Sequence, residues 1–249
     1  MKSREEFLSI ASHELKTPLT AIKGFLEALL EEGLDDRQQA HRFIEIAARQ
    51  TDRMQAIIQD LLTLSRLEQT GGTISQTTEQ LATLVGDALE ICLPLIRRKN
   101  TTLVVQDVAL TAGQDPGDLA RLVCQDQTIY CNRNLLEQAL VNLIDNAVKY
   151  SPEASTVTIG FANHDHQLVL TVKDNGPGIP ARDIDRLFER FYRVDRGRSR
   201  ADGGTGLGLA IVKHIAASHG GTISVESVFG QGSIFRLILP TAPETIAKP

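Results

Sequence analysis

The chain has 249 residues, of which 42% are hydrophobic and 23% are charged, and its formal net charge at pH 7 is −5. These values are ordinary for a soluble globular protein, and the acidic balance argues against general affinity for nucleic acid. No run approaches the roughly 18 apolar residues of a membrane span, and the N-terminus has no signal-peptide pattern. We therefore expect a cytoplasmic chain without membrane contact. The spacing of the three cysteines matches no zinc motif, which predicts buried reduced thiols.

The first 70 residues show the spacing of two long amphipathic helices joined by a short polar break. The first helix is predicted from about residue 4 to 31, and its apolar stripe consists of Phe7, Ala11, Leu15, Ile22, Leu26 and Leu29. The second helix is predicted to begin after an N-cap residue, either Asp35 or Asp36, and to continue to about Glu68. Because a hairpin cannot bury both stripes by itself, we expect two copies to form a dimeric four-helix bundle.

His13 stands apart from the apolar stripe. On a helical wheel it lies about 160° from Leu15, on the opposite face. A single histidine in such a position is usually an ordinary surface residue, but here Glu14 follows at once and Thr17 lies one turn later. Imidazole titrates near neutral pH, and an adjacent carboxylate can take its proton while the ring attacks a phosphoryl group. The pattern predicts a reactive histidine.

Helices and strands alternate from residue 74 onward, after a break at 70–73 that predicts a linker. The predicted helices span 81–99, interrupted or bent at Pro94, 133–150 and 206–219. The predicted strands span 102–106, 156–160, 168–172, 222–228 and 232–239. This order predicts an α/β sandwich with helices on one face of a mixed sheet.

The predicted helix over 133–150 carries a polar stripe. Asn142, Asn146 and Lys149 lie at i, i+4 and i+7, within about 60° of each other. Amide oxygens can coordinate a hard cation, and an ammonium group can meet anionic oxygens. The stripe therefore suits metal-bound phosphates, although a solvated helix face would show the same pattern.

Two glycine-rich segments suggest contact with a phosphate-bearing ligand. The segment 174–179 follows a strand directly, and 203–209 opens a helix, whose N-terminus favours anions. Neither a P-loop lysine nor the downstream acid of a Rossmann fold accompanies them, which excludes those two nucleotide folds. The arginine-rich loop between the segments also contains acids, which dilute any basic patch.

Five motifs together resemble the H, N, G1, F and G2 boxes of the sensor histidine kinases of two-component signalling. They are S-H-E-L-K-T-P-L-T from Ser12, N-L-I-D-N-A-V-K-Y from Asn142, D-N-G-P-G-I from Asp174, F-E-R-F-Y-R from Phe188 and G-T-G-L-G-L from Gly204. The resemblance covers about residues 4–240. It implies a dimerisation and histidine-phosphotransfer domain over 1–70, a linker over 71–75, a gyrase-type (Bergerat) ATP-binding domain over 76–242 and a tail over 243–249.

The resemblance implies that ATP phosphorylates His13 on a ring nitrogen and that an aspartate of a response-regulator receiver domain then takes the phosphoryl group. Glu14 would orient and deprotonate the ring, and Thr17 would help to hydrolyse the phosphorylated regulator. The alternative for Thr17 is a hydrogen bond from its hydroxyl to the carbonyl of residue 13. The implied partners are a second copy of the chain, through residues 1–70, and the regulator.

The implied cofactors are ATP and Mg²⁺. Asp174 would receive the adenine amino group, Asn146 with Asn142 would hold Mg²⁺, Lys149 would meet the phosphates and Tyr150 would pack near the base. Further nucleotide contacts are implied at Gly176, Gly178, Arg193, Gly204, Thr205, Gly206, Leu207 and Gly208. The loop over 180–203 would be the ATP lid, anchored by Phe188, Phe191 and Tyr192.

The sequence also departs from the family pattern. Asn132 stands where the family usually has aspartate, and residues 109–128 look like an insertion or a surface excursion. Only 12 residues precede His13, so we expect a catalytic-core fragment of a longer sensor. An ATP-driven clamp and a non-catalytic dimeric scaffold are alternatives; the H box argues against the first, and intact Asn146 and Asp174 argue against the second.

Overall fold

A computed structural model describes residues 4–32, 36–69, 74–111, 113–194 and 204–241. Its helices are α1 (Arg4–Glu32), α2 (Arg37–Gln69), α3 (Leu81–Arg98), α4 (Pro116–Cys124), α5 (Arg133–Tyr150), α6 (Ala181–Ile184) and α7 (Gly208–Ser218). Its strands are β1 (Thr77–Gln80), β2 (Thr102–Val105), β3 (Val108–Ala109), β4 (Thr128–Cys131), β5 (Thr156–His164), β6 (Gln167–Asp174), β7 (Thr222–Val228) and β8 (Gly232–Pro240). None of the described helices is long and apolar enough to cross a membrane.

The chain divides into two compact units. The first, called here the hairpin unit, contains residues 1–65 together with 189–207. The second, called here the α/β unit, contains residues 66–188 and 208–249. The segment 189–207, which includes most of the predicted second glycine-rich box, thus groups with the helical hairpin.

In the hairpin unit, α1 and α2 pack antiparallel. The rings of Phe25 and Phe43 lie 5.4 Å apart, and Glu14 pairs with Arg53 at 3.2 Å, so positions later in α1 meet positions earlier in α2. Asp36 caps α2, because its carboxylate accepts hydrogen bonds from the first free backbone N–H groups of the helix. The alternative cap, Asp35, lies outside the described residues. The predicted helical hairpin is confirmed.

Large apolar side chains on both helices remain exposed within a single chain. Their exposed fractions run from 43% to 84%, and they are Leu8, Leu19, Leu26, Leu30, Ile44, Ile58 and Leu62. One copy of the hairpin therefore leaves much of its apolar surface in water, a condition that favours association with another apolar surface.

The α/β unit is built on a six-stranded mixed sheet in the order β3-β2-β5-β6-β8-β7. Only the β2–β5 pair is parallel among the pairs of this sheet. Every second residue of the central strands is buried, as in Val157 and Ile159 of β5 or Leu170 and Val172 of β6. Helix α5 packs against β5 and β6, α7 packs against β7 and β8, and α3 packs on α5. The predicted sandwich is confirmed.

The segment 109–128 differs from the prediction. It contains α4 and connects β3 to β4, and α4 packs closely on α3, where a Cβ on Gly86 would lie 3.0 Å from the Cα of Gly117. Leu119 and Ala120 of α4 are fully buried, so the predicted surface excursion is wrong for α4, whereas Ala109, Thr111 and Gly113 before it are exposed. The glycine contact that seats α4 joins residues far apart in sequence, which local patterns do not reveal. Helix α3 runs without a break through Pro94.

All three cysteines are buried free thiols, as predicted. Burial raises the pKa of Cys92, of Cys124 and of Cys131 to about 12 in each case. A thiol with so high a pKa is protonated at neutral pH, and only the thiolate is a good nucleophile. These side chains therefore act as small apolar core residues.

Candidate functional site

His13 lies on the exposed face of α1, as the helical wheel predicts. Ala11 and Pro18, on the other side of the helix, are buried. The imidazole of His13 forms no hydrogen bond with any residue in the described part of the chain. The ring is therefore accessible to a phosphoryl donor and to a second protein.

Glu14 is turned toward α2. Its carboxylate oxygen Oε2 accepts a hydrogen bond from Nη2 of Arg53 at 3.2 Å. The side chain of Arg53 is only 6% exposed, so the ion pair lies inside the hairpin. Arg53 could not be identified from the sequence, because an arginine on a long polar helix carries no local signal.

The hydroxyl of Thr17 donates a hydrogen bond to the carbonyl oxygen of His13 at 3.1 Å. Thr20 makes the same kind of bond to the carbonyl of Lys16 at 2.9 Å. Back-bonding of this kind is ordinary for threonine inside a helix. Thr17 thus makes the local hydrogen bond to the carbonyl of residue 13 that is the alternative to a role in hydrolysis.

The middle of the predicted lid packs on α1 within the hairpin unit. The rings of Phe191 and Phe7 lie 5.9 Å apart, and the guanidinium of Arg190 lies 4.7 Å from the centre of the Phe7 ring. Burial lowers the pKa of Arg190. Phe191 and Arg190 therefore hold this segment against α1. Arg193 is half-buried, and the lid arginines Arg196, Arg198 and Arg200 lie outside the described residues.

The G2 segment is fixed by contacts within the same unit. The hydroxyl of Thr205 donates to Oδ2 of Asp60 on α2 at 2.7 Å and accepts from the backbone N–H of Leu207 at 3.2 Å. Gly206 has a φ of +74°, and a Cβ there would lie 3.0 Å from the backbone of Phe191. Only glycine suits that position, since it combines a left-handed backbone with a close approach.

In the α/β unit, both ends of α5 are capped by side chains. At the first turn, Asn132 is the N-cap: its Oδ1 accepts from the N–H of Leu135 at 3.2 Å. At the last turn, the ammonium of Lys99 donates to the carbonyl oxygens of Val148, Lys149 and Ser151 at 3.0, 2.7 and 2.6 Å. These contacts position the helix that carries the predicted metal ligands. They also give Asn132 a structural role.

The polar stripe of α5 is half-buried. Nδ2 of Asn142 donates to the carbonyl of Gly208 at 3.5 Å, and Lys149 pairs with Asp145 at 2.6 Å. The amide of Asn146 makes no hydrogen bond within the described part of the chain. Its oxygen is therefore available to a cation, and an amide oxygen fits the preference of Mg²⁺ for oxygen ligands.

Asp174 ends β6 and is only 5% exposed. Its Oδ1 accepts hydrogen bonds from the backbone N–H groups of Gly176 at 2.8 Å and Ser233 at 3.3 Å. Burial raises the pKa of Asp174, and the two hydrogen bonds oppose that shift. Oδ2 can still accept hydrogen bonds, and a carboxylate needs such a free oxygen in order to bind an amino group.

The G1 loop is held against the β7–β8 turn. Gly178 has a φ of +64°, and a Cβ there would fall on the carbonyl oxygen of Val228. Gly232 has a φ of +113°, and a Cβ there would fall on the carbonyl oxygen of Asp174. Gly232 and Ser233 could not be identified from the sequence, because they approach Asp174 only through the pairing of β6 with β8.

The predicted site residues divide between the two units. The hairpin unit holds His13, Glu14, Thr17, Arg193, Gly204, Thr205, Gly206 and Leu207. The α/β unit holds Asn142, Asn146, Lys149, Tyr150, Asp174, Gly176, Gly178 and Gly208. Within the α/β unit, Asn142 contacts Gly208 and Asp174 contacts Gly176. Tyr150 is 46% exposed.

Two family models match the chain. Residues 3–70 match the His Kinase A (phospho-acceptor) domain, and residues 131–243 match the histidine kinase-, DNA gyrase B- and HSP90-like ATPase. The sensor-like histidine kinase SenX3 of Mycobacterium tuberculosis is 40% identical over 242 residues, which cover 97% of this chain and 55% of SenX3. The chain spans 38% to 55% of the length of curated relatives that it matches.

Solved structures agree with the sequence comparisons. The Acinetobacter baumannii histidine kinase AdeS superposes on this chain with a TM-score of 0.68 and is 25% identical in sequence. The match covers 98% of AdeS and 92% of this chain. Histidine kinase ThkA was solved in complex with the response regulator protein TrrA. It shares the fold, with a TM-score of 0.72 at 22% identity, and the match covers 96% of this chain and 62% of that one. The chain therefore carries the two domains of a sensor histidine kinase catalytic core, the phospho-acceptor domain and the ATP-binding domain.

Proposed function

We propose that this chain is a protein histidine kinase that phosphorylates its own His13 with ATP and passes the phosphoryl group to an aspartate of a response regulator. One observation carries the proposal: an exposed histidine followed by an acid lies in the phospho-acceptor domain of a chain that also has the ATPase domain. We assign phosphotransfer to residues 1–70, nucleotide binding to 76–242, and linker and tail roles to 71–75 and 243–249.

In the proposed first step, a ring nitrogen of His13 attacks the γ-phosphorus of ATP. The N–P bond forms as the bond from phosphorus to the bridging oxygen breaks, and ADP leaves with that electron pair. Glu14 accepts the proton from the other ring nitrogen, so that the ring remains a neutral donor to phosphorus. Such a transfer depends mainly on positioning and on neutralised charge.

We assign the nucleotide to the α/β unit by the chemistry of its side chains. The buried carboxylate of Asp174 suits the adenine amino group, and the exposed ring of Tyr150 suits the face of the base. The amide oxygens of Asn142 and Asn146 would hold Mg²⁺, and the ammonium of Lys149 would meet the phosphates. When bound, Mg²⁺ would neutralise charge on the phosphate oxygens.

Glycine-rich boxes complete the proposed nucleotide site. Glycine lets the backbone approach a ligand closely, and the N-terminus of α7 favours phosphate. The residues so assigned are Gly176, Gly178, Gly204, Thr205, Gly206, Leu207 and Gly208. Arg193 is our candidate for a phosphate contact from the lid.

The proposed partners are a second copy of this chain and a response-regulator receiver domain. Exposed leucines and isoleucines on α1 and α2 support association of two hairpins into a bundle. The solved complex of ThkA with the response regulator protein TrrA supports a receiver domain as acceptor. We further propose that Thr17 promotes hydrolysis of the phosphorylated regulator, and that the chain acts in the cytoplasm as the catalytic portion of a longer sensor.

Incubation with γ-labelled Mg-ATP tests the proposal. The wild-type chain should acquire acid-labile, alkali-stable phosphate and should lose it to a receiver domain added afterwards. His13→Gln should acquire none, while its affinity for ATP stays near wild type, because His13 and the assigned nucleotide residues lie in different predicted domains. Stoichiometric label on His13→Gln would show that another residue is the acceptor. ATP hydrolysis without any protein label would favour the clamp alternative.

A further inference from the structure

The ion pair between Glu14 and Arg53 directs the predicted catalytic acid away from its histidine. Glu14 is 22% exposed and Arg53 is 6% exposed, whereas His13 lies on the exposed face of the same helix. Consecutive residues of an α-helix point about 100° apart. The carboxylate of Glu14 is therefore turned into the hairpin, toward α2, while the imidazole faces solvent.

Neither side chain of the His13–Glu14 pair bonds to the other in this structure. The imidazole has no hydrogen bond within the described residues, and the carboxylate of Glu14 bonds there to Arg53 alone. Transfer of the ring proton to Glu14 requires a hydrogen bond between the two groups. The carboxylate must therefore leave Arg53 before it can serve His13.

Arg53 resists that movement. Its guanidinium is almost fully buried, and its Nε is buried without a hydrogen-bond partner among the described residues. Departure of Glu14 would leave a buried cation without its counter-ion, which is strongly unfavourable in a protein interior. The arrangement thus favours the state in which the carboxylate of Glu14 is bound to Arg53 and is not hydrogen-bonded to His13.

We infer that Arg53 restrains autophosphorylation by competing with His13 for the carboxylate of Glu14. This inference rests on the proposed function, within which Arg53 is a positioning residue that acts through Glu14. In the chemical step the N–P bond forms, the bond from γ-phosphorus to the bridging oxygen breaks, ADP departs with the electron pair, and the ring proton passes to Glu14. Arg53 sets how often Glu14 is free to receive that proton.

Replacement of Arg53 in the full chain tests the inference by the rate of labelling at saturating Mg-ATP. Arg53→Gln should raise the rate by about fivefold or more, the effect of losing one charge-assisted hydrogen bond, with KM for ATP unchanged. Arg53→Lys keeps a positive charge but lacks the planar guanidinium, so it should raise the labelling rate less than Arg53→Gln does. Arg49→Gln is the matched control: Arg49 lies on the same helix and pairs with Glu45 at 3.9 Å on the exposed surface, so the rate should not change.

A double-mutant cycle separates competition from a structural role. In a Glu14→Gln background, Arg53→Gln should leave the residual rate unchanged, because the carboxylate that the two groups share is gone. An equal effect of Arg53→Gln in both backgrounds would overturn the inference. A labelling rate of Arg53→Gln that is equal to or below the wild-type rate would also overturn it. If Arg53→Gln does not fold, the same result for Arg53→Lys would overturn it. An unlabelled wild-type chain would overturn the proposed function as well, whereas a labelled wild type without the expected rise overturns this inference alone.

Discussion

The imidazole of His219 accepts a hydrogen bond from the backbone N–H of Asn132 at 3.0 Å, which ties the residue after α7 to the N-cap of α5. The other ring nitrogen, Nδ1, donates to the carbonyl of Ile215 at 2.8 Å. Both contacts require a neutral ring with the proton on Nδ1, because Nε2 must accept. Burial lowers the pKa of His219 in agreement with this geometry.

The free energy of unfolding of the α/β unit should decrease as the pH falls. The unfolded chain protonates His219 near its ordinary value of 6.5, whereas the folded chain does so only at a lower pH. The unfolded state therefore binds more protons between those two values, and stability is lost as the pH falls below about 6.5. Urea unfolding at pH 7.5 and pH 5.5 measures the loss. In His219→Gln, whose amide oxygen can still accept from Asn132, the pH dependence should be smaller, and an unchanged dependence would contradict the assignment.

Asn146→Ala should reduce labelling of His13 by at least about tenfold, as expected when a metal-site ligand is removed. The amide of Asn146 is free of hydrogen bonds within the described residues, so the variant loses a ligand without losing an internal contact. Calorimetry should show that Mg²⁺ no longer strengthens ATP binding. Asn163→Ala, an exposed amide on β5, serves as the control and should behave as wild type. Wild-type labelling by Asn146→Ala would remove the metal assignment from this stripe.

Residues 1–70 alone should form a helical homodimer, and residues 75–249 alone should remain monomeric and bind ATP. The hairpin leaves large apolar side chains in water, whereas the α/β unit buries its own core beneath α5 and α7. Sedimentation of each fragment tests this difference. Leu26→Gln, at a position 48% exposed, should weaken the dimer, and Lys23→Gln on the same helix should not. A folded monomer of residues 1–70 would argue against the bundle.

Thr17→Ala should slow hydrolysis of the phosphorylated regulator and leave autophosphorylation within a few-fold of wild type. In its proposed role, the hydroxyl of Thr17 lies one turn past His13 and holds a water near a docked aspartyl phosphate, and the proposed attack on ATP does not use it. Thr20→Ala is a close control, because Thr20 makes the same back-bond to the helix carbonyl four residues earlier. Equal losses in both rates, or no loss in either, would leave Thr17 with a structural role only.

The limits of α5 could be predicted to the residue, from Arg133 to Tyr150. The helical hairpin and the central strands could also be predicted, but with limits that differ from the structure by one to four residues. Each of these elements has a strong local signal: apolar periodicity, a capping side chain or a glycine-bounded run. The exposure of His13 followed from the same periodicity. Short elements were missed, including β1, β3 and β4, because two to four residues carry too little pattern to distinguish a strand from a loop.

The sequence by itself determined where the chemically informative residues stand along the chain and which helix or strand carries each of them. Only the tertiary structure decided what those residues touch: Arg53 on Glu14, 39 positions away, and His219 on Asn132, 87 positions away. Periodicity reports the face of one element, whereas such contacts depend on how separate elements pack, which no local spacing encodes. For that reason the sequence predicted an acid beside His13, and the fold showed that this acid is held by an arginine.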